Sequence, residues 1–252
     1  MVVRRMVRGS DSTVWVMDRD EQMMDWFGIV RVTNVQSIRW VLGALNRWDR
    51  PVSTRQAQGW CARMQTAGYI DRANLGGAGG SIVWATFAGV GKAKPDVYRQ
   101  TTRHEIAVST ACARYAAAGY AWQRDERAQH AWEHQADGVA LGPDWAELIE
   151  VELTAKRPVR YQGIFRAFRN RLNTEATQIT YLCTADAGRA VRVALGASAE
   201  GISIASRVQV HDVFDRGGLW GGDVLPDWLL SVEQRAAPQQ EPLSAARAQL
   251  AW

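Results

Sequence analysis

Ile149-Glu150-Val151-Glu152-Leu153-Thr154-Ala155-Lys156 carries the clearest strand pattern of the chain. Its apolar and polar residues alternate strictly. As a strand it sets Ile149, Val151 and Leu153 on one face and Glu150, Glu152, Thr154 and Lys156 on the other. Two carboxylates side by side repel unless a cation lies between them, and hard oxygen donors on a rigid strand suit Mg2+ or Mn2+. Asp137, beside Gly138 a little upstream, supplies a third carboxylate if its own strand pairs with this one. Lys156 is then placed to orient or deprotonate an attacking water and to balance charge on a phosphate. The competing reading is plainer: Glu150 and Glu152 lie on a half-solvated strand face and pair with arginines of a neighbouring strand.

Downstream, the segment from Arg157 to Arg171 holds Arg157, Arg160, Arg166, Arg169 and Arg171 and no acidic residue. Tyr161, Ile164, Phe165, Phe168 and Leu172 fall at helical spacing, so a helix over 161–172 buries that stripe. Arg166 and Arg169 lie elsewhere on its surface, where they meet phosphates or merely form a solvated basic face. Further strands are expected at 178–183 and near 190–195. Upstream they are expected at 120–124 and around 137–141, after a helix over 102–118 with Val108, Ala111, Cys112 and Tyr115 inward. Strands interleaved with helices predict a mixed α/β domain. Glu105 is a further candidate carboxylate for the same site, with an exposed helical glutamate as the default reading.

Before the Gly91-Lys92-Ala93-Lys94-Pro95 linker the pattern changes. Thr33 with Gln36 forms a capping-box signature, leading into Val35, Ile38, Val41, Leu42 and Leu45 at helical spacing. Asp49-Arg50-Pro51 turns the chain, and Ser53 with Gln56 repeats the signature for a second helix running to about Gly68. Ala57, Trp60, Cys61 and Met64 form its inward stripe, which leaves Arg55, Gln56, Gln58, Gly59 and Arg63 outward or flanking. Tyr69–Arg72 and Ser81–Phe87, joined by the glycine-rich Asn74–Gly80, then read as a hairpin. Helix, helix, hairpin is the order of a winged helix-turn-helix; a small helical subdomain with an incidental hairpin is the alternative.

At 252 residues the chain suits two domains at about 100 to 200 residues each. Its 47% hydrophobic and 22% charged residues exclude a largely disordered chain. A pI near 9.2 with a formal charge of +4 permits a polyanionic partner without demonstrating one. Cys61, Cys112 and Cys183 are scattered with no CxxC pair, which argues against a disulfide framework or a cysteine zinc site and favours a reducing compartment. With no apolar leader and no stretch of about 18 apolar residues, the expected location is the cytoplasm, with no membrane partner. His130 and His134 read as a chance pair of solvent-exposed histidines, because no third ligand accompanies them. No internal repeat is present. From about Ser231 the composition predicts a mobile tail or a loosely docked helix.

Taken in order, the helix-helix-hairpin unit, a helix bearing His104, Asp137-Gly138-Val139, the Ile149–Lys156 strand and the Arg/Tyr-rich helix resemble the replication-relaxation family of mobile-element and actinobacterial proteins. The resemblance spans roughly residues 30–195. It implies a winged-helix DNA binder carrying a PD-(D/E)XK nuclease-like domain, linked to plasmid or phage DNA replication, relaxation or mobilisation. On that pattern Asp137 is the first acid and Glu150 the second. Glu152 stands where the pattern has lysine, a variant similar to that of some restriction endonucleases, and Lys156 is a displaced lysine. The departure leaves two readings open, an active enzyme and a silent DNA-binding platform.

The expected architecture is an α/β (α+β) chain. It has a winged helix over 20–92, a PD-(D/E)XK-like mixed-sheet domain over 96–230 and a tail over 231–252. The leading expectation is Mg2+- or Mn2+-assisted hydrolysis of a DNA phosphodiester, with Asp137, Glu150 and Glu152 as metal ligands and Lys156 assisting the nucleophile. Arg55, Gln56, Gln58 and Arg63 would face DNA, the Gly76–Gly80 wing would follow its backbone or minor groove, and Arg166 and Arg169 would hold phosphates. The rivals are a non-enzymatic replication or transcription regulator and an interaction scaffold using the tryptophans. A homodimer is left open.

Overall fold

The computed structural model describes residues 4–8, 13–74, 80–130, 132–174 and 176–236. It opens with an antiparallel hairpin of β1 (Arg4–Arg8) and β2 (Thr13–Met17). Next comes α1 (Asp18–Val30), whose first turn carries Asp18, Asp20 and Glu21, the charge sign that a helix N-terminus favours. Met23, Phe27 and Val30 repeat at helical spacing on its buried side. After it the chain forms β3 (Val32–Asn34), α2 (Val35–Leu45), α3 (Thr54–Thr66), β4 (Ile70–Asn74) and β5 (Ser81–Ala85). The three strands make one antiparallel sheet in the order β3-β5-β4.

α3 starts where the sequence puts it, and α2 starts one residue later than its capping signature. The capping box of α3 forms as expected, with the Ser53 hydroxyl accepting from the Gln56 N–H and the Gln56 side chain accepting from the Ser53 N–H. At α2 the cap is Asn34 rather than Thr33, its Oδ1 accepting the Ser37 N–H at 2.9 Å. Thr33 is held in β3 opposite Val83, and its hydroxyl lies 2.9 Å from that of Ser109. Of the expected wing, Leu75–Gly79 lie outside the described residues.

The second half begins with a short α4 (Phe87–Val90) and then α5 (Thr102–Ala117). β6 (Ala121–Gln123), β7 (Gly138–Leu141) and β8 (Ala146–Glu152) form an antiparallel meander. α6 (Pro158–Thr174) leads into β9 (Gln178–Thr184). α7 (Ala185–Ala197) and α8 (Ala199–Ile204) precede β10 (Val208–Phe214), and α9 (Val232–Ala236) closes the described chain. The five strands share one sheet, order β10-β9-β8-β7-β6, with β8, β9 and β10 parallel. The molecule is thus mixed α/β. No helix among the described residues is long and apolar enough to cross a membrane.

The expected strand near 190–195 is instead part of α7. Thr184 caps this helix through its hydroxyl, and Ala187, Val191, Ala194 and Leu195 are buried at a spacing that fits a period of 3.6 and not of 2. The strand that completes the sheet is β10, further along the chain.

The large sheet is covered on both faces. Ile149 and Val151 point into a core shared with α5, α2, α3 and α1, while Leu148, Ile179 and Tyr181 meet Phe165 and Phe168 of α6 and Val191 of α7. One apolar cluster therefore runs from the N-terminal helices through α5 to the sheet. Hydroxyl contacts from Thr33 to Ser109 and from Ser37 to Thr110 bridge the same layers. Toward the end of α5, Arg114 lies between the rings of Trp40 and Trp220, at 5.0 and 4.5 Å from their centroids, and donates to the carbonyls of Trp220 and Gly221.

Candidate active site on β7 and β8

Gly138 pairs with Ile149 across the β7–β8 ladder, so one step further along the same register stand Asp137 and Glu150. The contacts agree. The Asp137 N–H donates to the Ile149 carbonyl at 3.0 Å, and the Val151 N–H donates to Asp137 Oδ2 at 2.8 Å. The carboxylate is thereby fixed by backbone that continues the sheet. Gly138 is required for this arrangement: a Cβ there would lie 2.0 Å from Cζ2 of Trp122, the ring that crosses from β6.

The other oxygen of Asp137, Oδ1, is 2.8 Å from Nε2 of His104 in the first turn of α5. Burial would lower the His104 pKa, but the hydrogen bond and the negative charge of Asp137 outweigh it and raise it. Glu150 has its own histidine, with Oε1 3.0 Å from Nε2 of His134. His134 is half-buried, its ring edge-on to Phe168 at 5.2 Å. It is therefore not the exposed histidine that the sequence suggested. Desolvation pushes the Glu150 carboxyl up to about 7, and the charge of Asp137 adds to that rise against the hydrogen bond from His134.

Glu152 shares the face of Glu150 and pairs with Lys156, whose N–H donates to the hydroxyl of Tyr161 at 3.1 Å. Burial is the main cause that takes the Tyr161 hydroxyl up to about 12. Neither glutamate sits on a solvated face: both are 4% exposed. Glu147, on the opposite face, accepts from Tyr115 at 2.8 Å and from Arg235 of α9 at 2.6 Å.

The structure thus brings Asp137, Glu150, Glu152 and Lys156 onto two adjacent strands and the loop that follows, and adds His104 and His134. His104 was marked only by the family resemblance. His134 had no usable signal, because its partner is sixteen residues away. As donors the three carboxylates are of the right type for Mg2+ or Mn2+. As arranged, each is engaged by a histidine or lysine, and no group of three or more His, Cys, Asp or Glu among the described residues is disposed to hold a metal ion. The donor set does not fit a preformed divalent site, and the chemistry derived below uses the side chains alone.

No family model, curated protein or solved structure matches this chain. What the site does is therefore inferred from its own geometry. His104 is the most accessible member, with 39% of its side chain exposed against 23% for Asp137 and 5% for Glu150. A histidine held in one orientation by a carboxylate, itself anchored by a backbone N–H, is suited to move a proton at an incoming ligand.

The expected DNA-facing residues divide. Arg55, Gln56 and Gln58 are exposed along α3, with the Gln56 Oε1 engaged in the cap. Arg63 instead turns inward: its guanidinium donates to both oxygens of Asp20 at 2.7 Å and to the Trp15 carbonyl at 2.9 Å. On α6, Arg169 is exposed and Arg166 pairs with Glu200 of α8 at 2.8 Å.

Proposed function

We propose that this chain is a DNA-binding protein of mobile-element or phage type, reading duplex DNA with a winged helix over 20–92 and acting on the phosphodiester backbone at the Asp137–Glu150 cluster. The observation that carries the reading is the pairing of Asp137 with Glu150 across β7 and β8, each bonded to its own histidine and with Lys156 beside Glu152. His104, oriented by Asp137, takes or gives the proton of the attacking or leaving oxygen. The Glu150 carboxyl, raised by burial, stands ready as its counterpart near neutral pH. Lys156 supplies positive charge at the end of β8, where a phosphate would gather negative charge.

The DNA-reading half of the proposal is supported by the element order α1-β3-α2-α3-β4-β5 with its β3-β5-β4 sheet. The same order leaves Arg55, Gln56 and Gln58 of α3 outward, as a recognition helix requires. One observation favours a second reading, a regulator with a silent nuclease-like fold: every carboxylate of the cluster already has a protein partner.

The DNA-reading half is tested by titrating a labelled duplex at several salt concentrations with the parent chain and with an Arg55→Ala/Gln58→Ala variant. The parent is expected to bind with an affinity that falls steeply with salt, and the variant to bind roughly 10-fold or more weakly, as the loss of about 1–3 kcal/mol per direct contact implies. Equal affinity of the two proteins would remove α3 from the interface. No binding by the parent at low salt would end the DNA reading.

A further inference from the structure

A cavity of about 570 Å3 opens between α6 and the connection from β6 to β7, outside the Asp137–Glu150 cluster but sharing a wall with it. Its charged and polar lining includes Glu126, Arg127, Glu133, His134, Asn170 and the ion pair of Asp125 with Arg171, with Trp132 at the edge. His134 is the shared wall: the ring that borders the cavity holds Glu150 at 3.0 Å. Trp132 is 67% exposed at the rim and stacks on His130 with ring centroids 4.5 Å apart and planes 13° from parallel. A large aromatic ring left in water costs free energy unless something covers it, and with His130 on one face of Trp132 the other face is left for a flat ligand.

The floor of the cavity is rigid. Asp125 is buried and accepts from both guanidinium nitrogens of Arg171, at 2.5 and 2.9 Å, and from the Ala136 N–H at 2.7 Å. Glu133 accepts from the N–H groups of Gln129 and His130 and so shapes the loop that carries the stacked rings. The exposed Asn170 brings both a donor and an acceptor to the wall, and the exposed Arg127 brings a cation to the rim. A planar, hydrogen-bonding ring matches this combination, stacking on Trp132 with its polar edge toward Asn170, while Glu126 and Glu133 beside Arg127 disfavour a phosphate inside the cavity and leave the backbone outside it. The volume lies in the ordinary range of ligand pockets, roughly 300–1,000 Å3.

We infer that this cavity is a subsite for one unpaired nucleobase of a DNA strand, stacked on Trp132 and set by His134 next to the cluster that acts on the backbone. The inference rests on the reading of the chain as a DNA-binding protein and adds the substrate class, a strand that is single-stranded or locally opened. Duplex DNA read by α3 is a separate ligand surface, which allows the two to be tested apart.

The experiment is fluorescence anisotropy with a labelled dT12 oligonucleotide and a labelled duplex, titrated at low salt with the parent chain, Trp132→Ala and Trp132→Phe. Trp132 is exposed, so neither substitution opens a core. Trp132→Ala is expected to weaken dT12 binding about 5- to 150-fold, the range that a lost base–aromatic stack produces. Trp132→Phe should recover most of that loss, and the duplex affinity should be the same for all three proteins. If the parent binds DNA but Trp132→Ala binds dT12 as tightly, the cavity is no base subsite and the DNA reading stands. Equal weakening of dT12 and duplex would also overturn the subsite. Failure of the parent to bind either probe overturns both.

Discussion

Asp20 accepts from both guanidinium nitrogens of Arg63 at 2.7 Å. It is fully buried at the start of α1, yet burial, which alone would raise its pKa, is outweighed by hydrogen bonds from Arg63, the Met17 N–H and Trp60, and the pKa is lowered. A carboxyl whose folded pKa lies below its unfolded value of about 3.9 stabilises the fold fully above that value and loses the contribution as pH falls through the folded pKa. Asp20→Asn should therefore lower stability by about 3 kcal/mol at neutral pH, because it breaks a buried pair. It should also flatten the acid limb of Tm measured from pH 7 to pH 3. An unchanged acid limb would show that the pair does not couple to folding. Arg63 looked like a DNA contact in the sequence because a flanking helical arginine is usually solvated. Its partner lies forty-three residues away, at a distance that no local pattern reports.

At the scale of elements, legibility followed periodicity. The β8 alternation, the α3 capping box and the α6 stripe were readable because each is a local pattern of period 2 or 3.6 with its own start signal. The 190–195 stretch reads as a strand because it is mostly apolar and carries the β-branched Val191 and Val193. The buried positions Ala187, Gly188, Val191, Ala194 and Leu195 reveal the helix only when the window is widened to include the Thr184 cap. β7 carries a sharper demand. Its first residue has no side chain because the Trp122 ring occupies that volume, and Asp137 precedes it directly. Gly138→Ala should therefore cost about 1–3 kcal/mol, the range for overpacking. By displacing the ladder it should also weaken the hold of Asp137 on His104. Denaturant unfolding measures the first effect. The His104 imidazole titration followed by NMR measures the second, as a fall of the raised pKa toward its ordinary value; an unmoved titration with a destabilised fold would separate Gly138 from the site.

For the whole molecule, the placement of the cluster depends on contacts that no sequence window contains. α5 is the shared beam: its inner side packs on α2 and the sheet, its first turn carries His104, and Arg114 near its end clamps the 220–222 segment. The segment around Ser231 proves to be docked in its described part, through the Val232 N–H to the Ala118 carbonyl and Arg235 to Glu147, while 237–252 lie outside the described residues. Glu150 and Glu152 share the β8 face that packs on α6 and are buried there, and so a strand that reads as half-solvated holds a carboxyl raised to about 7. This arrangement makes the central claim, action on DNA phosphodiesters, open to direct measurement. The measurement is nicking of supercoiled and linear DNA by the parent chain, Glu150→Ala and His104→Ala, each with Mg2+, with Mn2+ and with chelator. Cleavage by the parent is expected with either metal and with chelator alike, falling about 100-fold or more in both variants, the scale of a lost acid–base group. Tight binding with no cleavage by the parent under any of these conditions would contradict the claim and leave the silent regulator.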